Sequence, residues 1–70
     1  MTFTFETAEP TNEDFQQYLS DNNIWSLRGE LEVNGFYEYS YKADVVTLTY
    51  FIANFWDMTL EEAKELNCIS

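Results

Sequence analysis

Two alternating runs of residues flank the dipeptide Asn34-Gly35, and this pattern limits the middle of the chain, Ile24 to Lys42, to a β-hairpin. The loop length then decides which side chains share a face. A two-residue turn pairs Val33 with Phe36 and sets Leu31 opposite Glu38, which scatters apolar residues over both faces. A three-residue loop of Val33, Asn34 and Gly35, with Gly35 in the left-handed bulge position, instead pairs Glu32 with Phe36. That register predicts one face of Trp25, Leu27, Leu31, Tyr37, Tyr39 and Tyr41. It predicts a second face of Arg28, Glu30, Glu32, Glu38 and Ser40, with Glu30 directly across from Glu38.

The flanking segments supply the other elements. Thr2, Thr4 and Glu6 alternate with Phe3 and Phe5, the period of a half-buried strand over residues 2 to 6. Pro10 breaks it, and Thr11 with Asp14 three positions later opens a short helix over about 12 to 20, which Asn22 and Asn23 can close. In Val45 to Trp56 strand-like alternation fails beyond Tyr50. At helical spacing Val45, Leu48, Phe51, Ile52, Phe55 and Trp56 fall in one arc, with Asp44 placed to cap. Thr59 to Glu62 reads as a capping box for a last helix through about Leu66, with Leu60 and Ala63 inward. The expected fold is a small single α+β domain spanning 1 to 70, ordered β-α-β-β-α-α, with an antiparallel hairpin covered by helices.

Composition narrows what such a domain does. Seventy residues bury only about 60% of the surface that the unfolded chain exposes, so the core must be dense or shared. A hydrophobic fraction of 46% and an aromatic fraction of 19% supply the density, and they exclude a disordered acidic tail. There is no histidine, and Cys68 is the single cysteine, so the usual general base, a thiolate dyad, a disulfide and a zinc site are all unexpected. Glu30 with Glu38 is the nearest approach to an acid-base pair, but so short a chain has little room for a concave pocket. No EF-hand loop occurs, and the two glycines, Gly29 and Gly35, form no phosphate-binding motif. The expectation is a non-enzymatic protein without cofactor or metal. The uncharged run Val45 to Trp56 is too short to span a membrane, and Met1 to Glu6 show no secretory signal, so a cytoplasmic chain is expected.

Thirteen acidic residues against three basic ones give a net charge of −10, which repels nucleic acid; Arg28, Lys42 and Lys64 are too dispersed to form a basic stripe. Glu13, Asp14, Glu61 and Glu62 fall in first helical turns, where they complement the positive end of the helix dipole. The crowding of Glu30, Glu32 and Glu38 on one hairpin face has no such local reason, because like charges opposite each other destabilise a sheet. Tyr37 and Tyr39 serve either as core or as interface anchors. The candidate partner-binding residues are therefore Glu30, Glu32, Glu38, Tyr37 and Tyr39 on the hairpin, with Asp57, Glu61, Glu62 and Glu65 as a second acidic group.

In size and composition this chain resembles the small acidic inhibitors encoded by phages and mobile elements, the DNA mimics that block restriction enzymes, CRISPR effectors or repair glycosylases. The resemblance implies a protein of the host-cell cytoplasm whose partner is a basic nucleic-acid-binding host protein, gripped by carboxylates with help from tyrosine and tryptophan. The alternative is a homodimer or accessory subunit that packs through the apolar helix Val45 to Trp56.

Overall fold

The computed structural model describes residues 1–8 and 10–70, the side chain of Leu31 excepted. The elements follow the expected order: β1 (Thr2–Thr7), α1 (Glu13–Asp21), β2 (Trp25–Val33), β3 (Phe36–Lys42), α2 (Val45–Trp56) and α3 (Leu60–Glu65). The strands form an antiparallel sheet in the order β1-β3-β2, so β3 is central and α1 carries the chain across it from β1 to β2. The C-terminal residues add a short fourth strand to the free edge of β1. The Thr2 and Ser70 N–H groups each donate to the other residue's carbonyl at 2.9 Å, and Phe3 bridges Ile69.

Each helix begins where a side chain satisfies its free N–H groups. For α1 that residue is Asn12, whose Oδ1 accepts from the N–H of Asp14 at 2.8 Å and of Phe15 at 3.2 Å. The expected capping by Thr11 is thus displaced by one position, because asparagine is the better cap and equally placed to turn back on the first turn. Asn23, at φ 54°, takes the left-handed conformation after the helix end. Asp44 caps α2 by accepting from the Thr47 N–H at 2.8 Å. Thr59 and Glu62 form the reciprocal capping box of α3, with the Glu62 N–H donating to Thr59 Oγ1 at 3.1 Å.

All three helices pack on one face of the sheet, giving a two-layer molecule whose shortest dimension is 18 Å. The sheet contributes Phe3, Tyr39 and Tyr41 to the core, α1 contributes Phe15 and Leu19, α2 contributes Leu48, Phe51 and Ile52, and α3 contributes Ala63. The Tyr41 ring lies 5.0 Å from Phe51 edge to face, and Phe3 meets Trp56 in the same manner at 5.0 Å. Each fully buried side chain of this size is worth roughly 1.5–3 kcal/mol, so a few aromatics substitute for the volume that a longer chain would bury. The helical arc expected for α2 is present at its centre, but Val45 and Phe55 lie at its margins and stay largely exposed.

The hairpin register differs from the expected one in two linked ways. Asn34 at φ 55° and Gly35 at φ 82° form a two-residue type I′ turn, so Val33, not Glu32, pairs with Phe36. Further up, Arg28 pairs with Tyr39 and Glu32 with Tyr37, so three residues of β2, Gly29 to Leu31, oppose the single residue Glu38. Gly29 makes this bulge feasible: a Cβ there would sit 3.0 Å from the Glu38 carbonyl oxygen. In consequence Ser26, Arg28 and Glu32 share the tyrosine face, and Trp25 and Leu27 turn to the opposite one. Those two side chains are not core, as expected, but 77% and 72% exposed; the expected place of Leu31 on the tyrosine face lies outside the described residues.

Candidate functional site

The face of the sheet away from the helices is uncovered among the described residues, and its side chains fall into three zones along the strands. At one end Thr2 and Trp25 flank Lys42, the cation that the pairing places on this face. Met1, Trp25, Leu27 and Ala43 line a shallow open groove of about 980 Å³ there, with Lys42 and Asp44 at its polar margin. In the middle Thr4 and Ser40 hydrogen-bond through their hydroxyl oxygens at 3.1 Å. At the far end Glu6 pairs directly with Glu38, and Glu30 in the bulge lines the same hollow of about 220 Å³, together with Gly29, Val33 and Phe36.

This far end concentrates negative charge on exposed, half-apolar ground. Neighbouring strands are about 4.8 Å apart, and directly opposed like charges destabilise a sheet. Glu6, Glu30 and Glu38 are all exposed, and Val33 and Phe36 beside them are 47% and 48% exposed. Lys42 stands four residues along β3 from Glu38, about 14 Å away at the usual rise of a strand. Exposed apolar residues thus stand at both ends of this face, Trp25 and Leu27 at one and Val33 and Phe36 at the other.

The expected partner-binding residues do not form one surface. Glu30 and Glu38 stand together as expected, but not as a ladder pair, because Glu38's direct partners are Glu6 on one side and the bulge on the other. Glu32 lies on the opposite face, where its Oε2 accepts from the Tyr37 hydroxyl at 3.1 Å. The Arg28 guanidinium sits 4.7 Å above the Tyr37 ring, so Tyr37 is half-buried among its own neighbours. Tyr39, only 6% exposed, belongs to the core and offers no side-chain surface to a partner. The second group lies on the helical side of the sheet. Asp57 ends α2 in the left-handed conformation, Glu62 is held in the capping box, Glu61 pairs with Lys64 at 3.8 Å, and Glu65 is exposed. An exposed pair of that length contributes little.

Three features escaped the reading of the sequence. Glu6 carries no local signal, because its neighbour Glu38 is set by the long-range pairing of β1 with β3. Trp25 and Leu27 read as core because apolar side chains usually turn inward; what reverses them is the two-residue turn at Asn34-Gly35, which pairs Val33 with Phe36 and so puts Glu32, Arg28 and Ser26 on the tyrosine face. The groove is the third: a chain with little room for a concave pocket still carries a shallow, open concavity at the sheet end. Its lining, however, offers only Lys42 and Asp44 as ionisable side chains.

Among the described residues no group of three or more acidic, histidine or cysteine side chains is arranged to hold a metal ion, and no helix is long and apolar enough to cross a membrane. Cys68 is a half-buried free thiol. Comparison with protein-family models, curated proteins and solved structures finds no match for this chain, so the reading of the face rests on its own residues.

Proposed function

We propose that the protein is a non-enzymatic acidic binding protein whose outer sheet face occupies the basic, nucleic-acid-binding surface of a host protein, as a nucleic-acid mimic and inhibitor. The observation that supports this reading most is the direct opposition of Glu6 and Glu38 with Glu30 alongside. An arrangement that costs the free sheet stability is compensated when a cationic surface covers it. In place of Glu30, Glu32 and Glu38 crowded on one hairpin face, the cluster is Glu6, Glu30 and Glu38 across three strands, because Glu32 leaves the face. The charge of −10 steers association with a basic partner and makes it weaken with salt.

The test is capture from nuclease-treated host lysate at low salt, comparing the parent with a Glu6→Gln, Glu30→Gln, Glu38→Gln variant. All three side chains are exposed, so the variant retains the fold. The expected result is one nucleic-acid enzyme retained by the parent, displaced by its own DNA or RNA, and lost from the variant. Equal retention by both proteins defeats the reading. A second reading, a homo-oligomer or accessory subunit, is favoured by the exposed Val45, Val46 and Tyr50 of α2. It expects a Val46→Ser, Tyr50→Ser variant to lose a dimer mass or a partner that the glutamine variant keeps.

A further inference from the structure

We infer that the outer face holds its partner at two separated points, an apolar anchor in the Met1, Trp25 and Leu27 groove and an arginine or lysine side chain in the Glu6, Glu30 and Glu38 hollow. The partner is a protein, not a nucleic acid, and its binding segment is basic at one end and apolar at the other. This deepens the proposed function and rests on its acidic-face reading.

The two sites differ in chemistry and share one surface. The groove is walled by apolar side chains, and Trp25 at 77% exposure is the residue type most often found at the energetic centre of protein interfaces. The hollow combines three carboxylates with Val33 and Phe36. That mixture suits a long cationic side chain, whose methylene stem packs on the apolar wall while its head reaches the acids. Charge complementarity selects this occupant over a second copy: another chain of net charge −10 brings repulsion to the acidic end. A bare phosphate backbone is repelled by the same charge, and a purely cationic one leaves Trp25 and Leu27 in water.

The sheet also fixes the spacing. Trp25 pairs with Lys42, and Glu38 lies four residues further along the same strand, so the two points are about 14 Å apart. On a helical partner, residues seven and eleven positions apart bracket that distance at roughly 10 and 16 Å and lie on one face.

The probes are two synthetic fluorescein-labelled helical peptides without tryptophan. One carries leucines at one end and arginines at the other, seven and eleven residues apart; the second has serine in place of the leucines. Affinity is read by anisotropy at low salt for the parent, for Trp25→Ser with Leu27→Ser, and for Glu6→Gln with Glu38→Gln. Circular dichroism melts check each fold. The expected result is that the leucine peptide binds the parent roughly tenfold or more tightly than the serine peptide, that the Trp25 and Leu27 changes remove this advantage, and that the glutamine changes weaken both peptides. If both peptides bind alike and the Trp25 and Leu27 changes are silent while the glutamine changes weaken both, the apolar anchor is refuted and the acidic face stands. If neither peptide binds the parent, both readings fall. If the parent is a dimer that Trp25→Ser dissociates, the groove is a self-interface and the two-point inference is overturned.

Discussion

Replacing Tyr41 with phenylalanine is expected to stabilise the protein, and the reason lies in one atom. Tyr41 is fully buried, and its hydroxyl has no hydrogen-bond partner among the described residues. An unsatisfied buried hydroxyl costs about 1–3 kcal/mol, while the ring it sits on keeps its contacts with Phe51 at 5.0 Å and Phe15 at 6.0 Å in the variant. Allowing for the small void left by the oxygen, the gain is about 1 kcal/mol, or roughly 4–8 °C in Tm for a domain of this size. The same burial, with the neighbouring Tyr39 as a lesser cause, pushes the Tyr41 hydroxyl from 10.0 up to about 12. The unfolded chain therefore releases this proton first. The stability linked to it is complete below pH 10 and is lost as the pH rises toward 12, reaching about 2–3 kcal/mol in all. Urea melts followed by far-ultraviolet circular dichroism at pH 8, 10 and 11 measure both effects, with Tyr50→Phe as an exposed control. The Tyr41→Phe advantage should widen with pH across this range. A variant less stable than the parent at pH 8, or an advantage that does not grow by pH 11, would mean that the hydroxyl is bonded and the reasoning wrong.

Three other expectations address the hairpin, the helix caps and the two tryptophans. Gly29→Ala places a methyl group 3.0 Å from the Glu38 carbonyl oxygen and should cost about 1–3 kcal/mol in urea melts, whereas Gly29→Ala without effect would mean that the bulge relaxes freely. The Thr47 N–H, joined by its hydroxyl, holds the Asp44 carboxyl below the usual carboxylate range, so its capping contribution is present above pH 4 and fades as the pH falls through that lowered value; Asp44→Asn should lack this step in acid titrations of helicity. Trp25→Phe should leave the melting curve nearly unchanged and remove most acrylamide-quenchable emission, since Trp56 is half-buried against Phe3 and Phe51; strong residual quenching would contradict the assignment of Trp25 to the open face.

Elements whose signals are local were legible in the sequence. The capping box of Thr59 and Glu62, the cap at Asp44, and the apolar arc of Leu48, Phe51 and Ile52 each involve residues within a turn or two, and the structure reproduces them. The faces of β2 were not legible, because side-chain direction there depends on whether the turn holds two residues or three, and one residue exchanges the faces. A three-residue turn gathers Trp25, Leu27, Leu31, Tyr37, Tyr39 and Tyr41 on one face. The chain instead buries the tyrosine face under its helices and leaves Trp25 and Leu27 outside. For the site the same limit applies. Glu30 and Glu38 meet as expected because one hairpin holds them, while Glu6 joins them only through the pairing of β1 with β3.

The bulge has a consequence for how separable this face is from the rest of the molecule. Between Arg28 and Glu32 the second strand advances four positions while the third advances two, an excess of two residues. Because side chains alternate, an excess of two is silent for everything on either side of it, whereas an excess of one would turn half the strand inside out. Excising Gly29 and Glu30 would thus leave a plain ladder with Arg28, Glu32 and the tyrosines on their present sides. The third carboxylate of the hollow, Glu30, sits on an insert in a hairpin that can pair without it, while the opposition of Glu6 and Glu38 belongs to the scaffold itself.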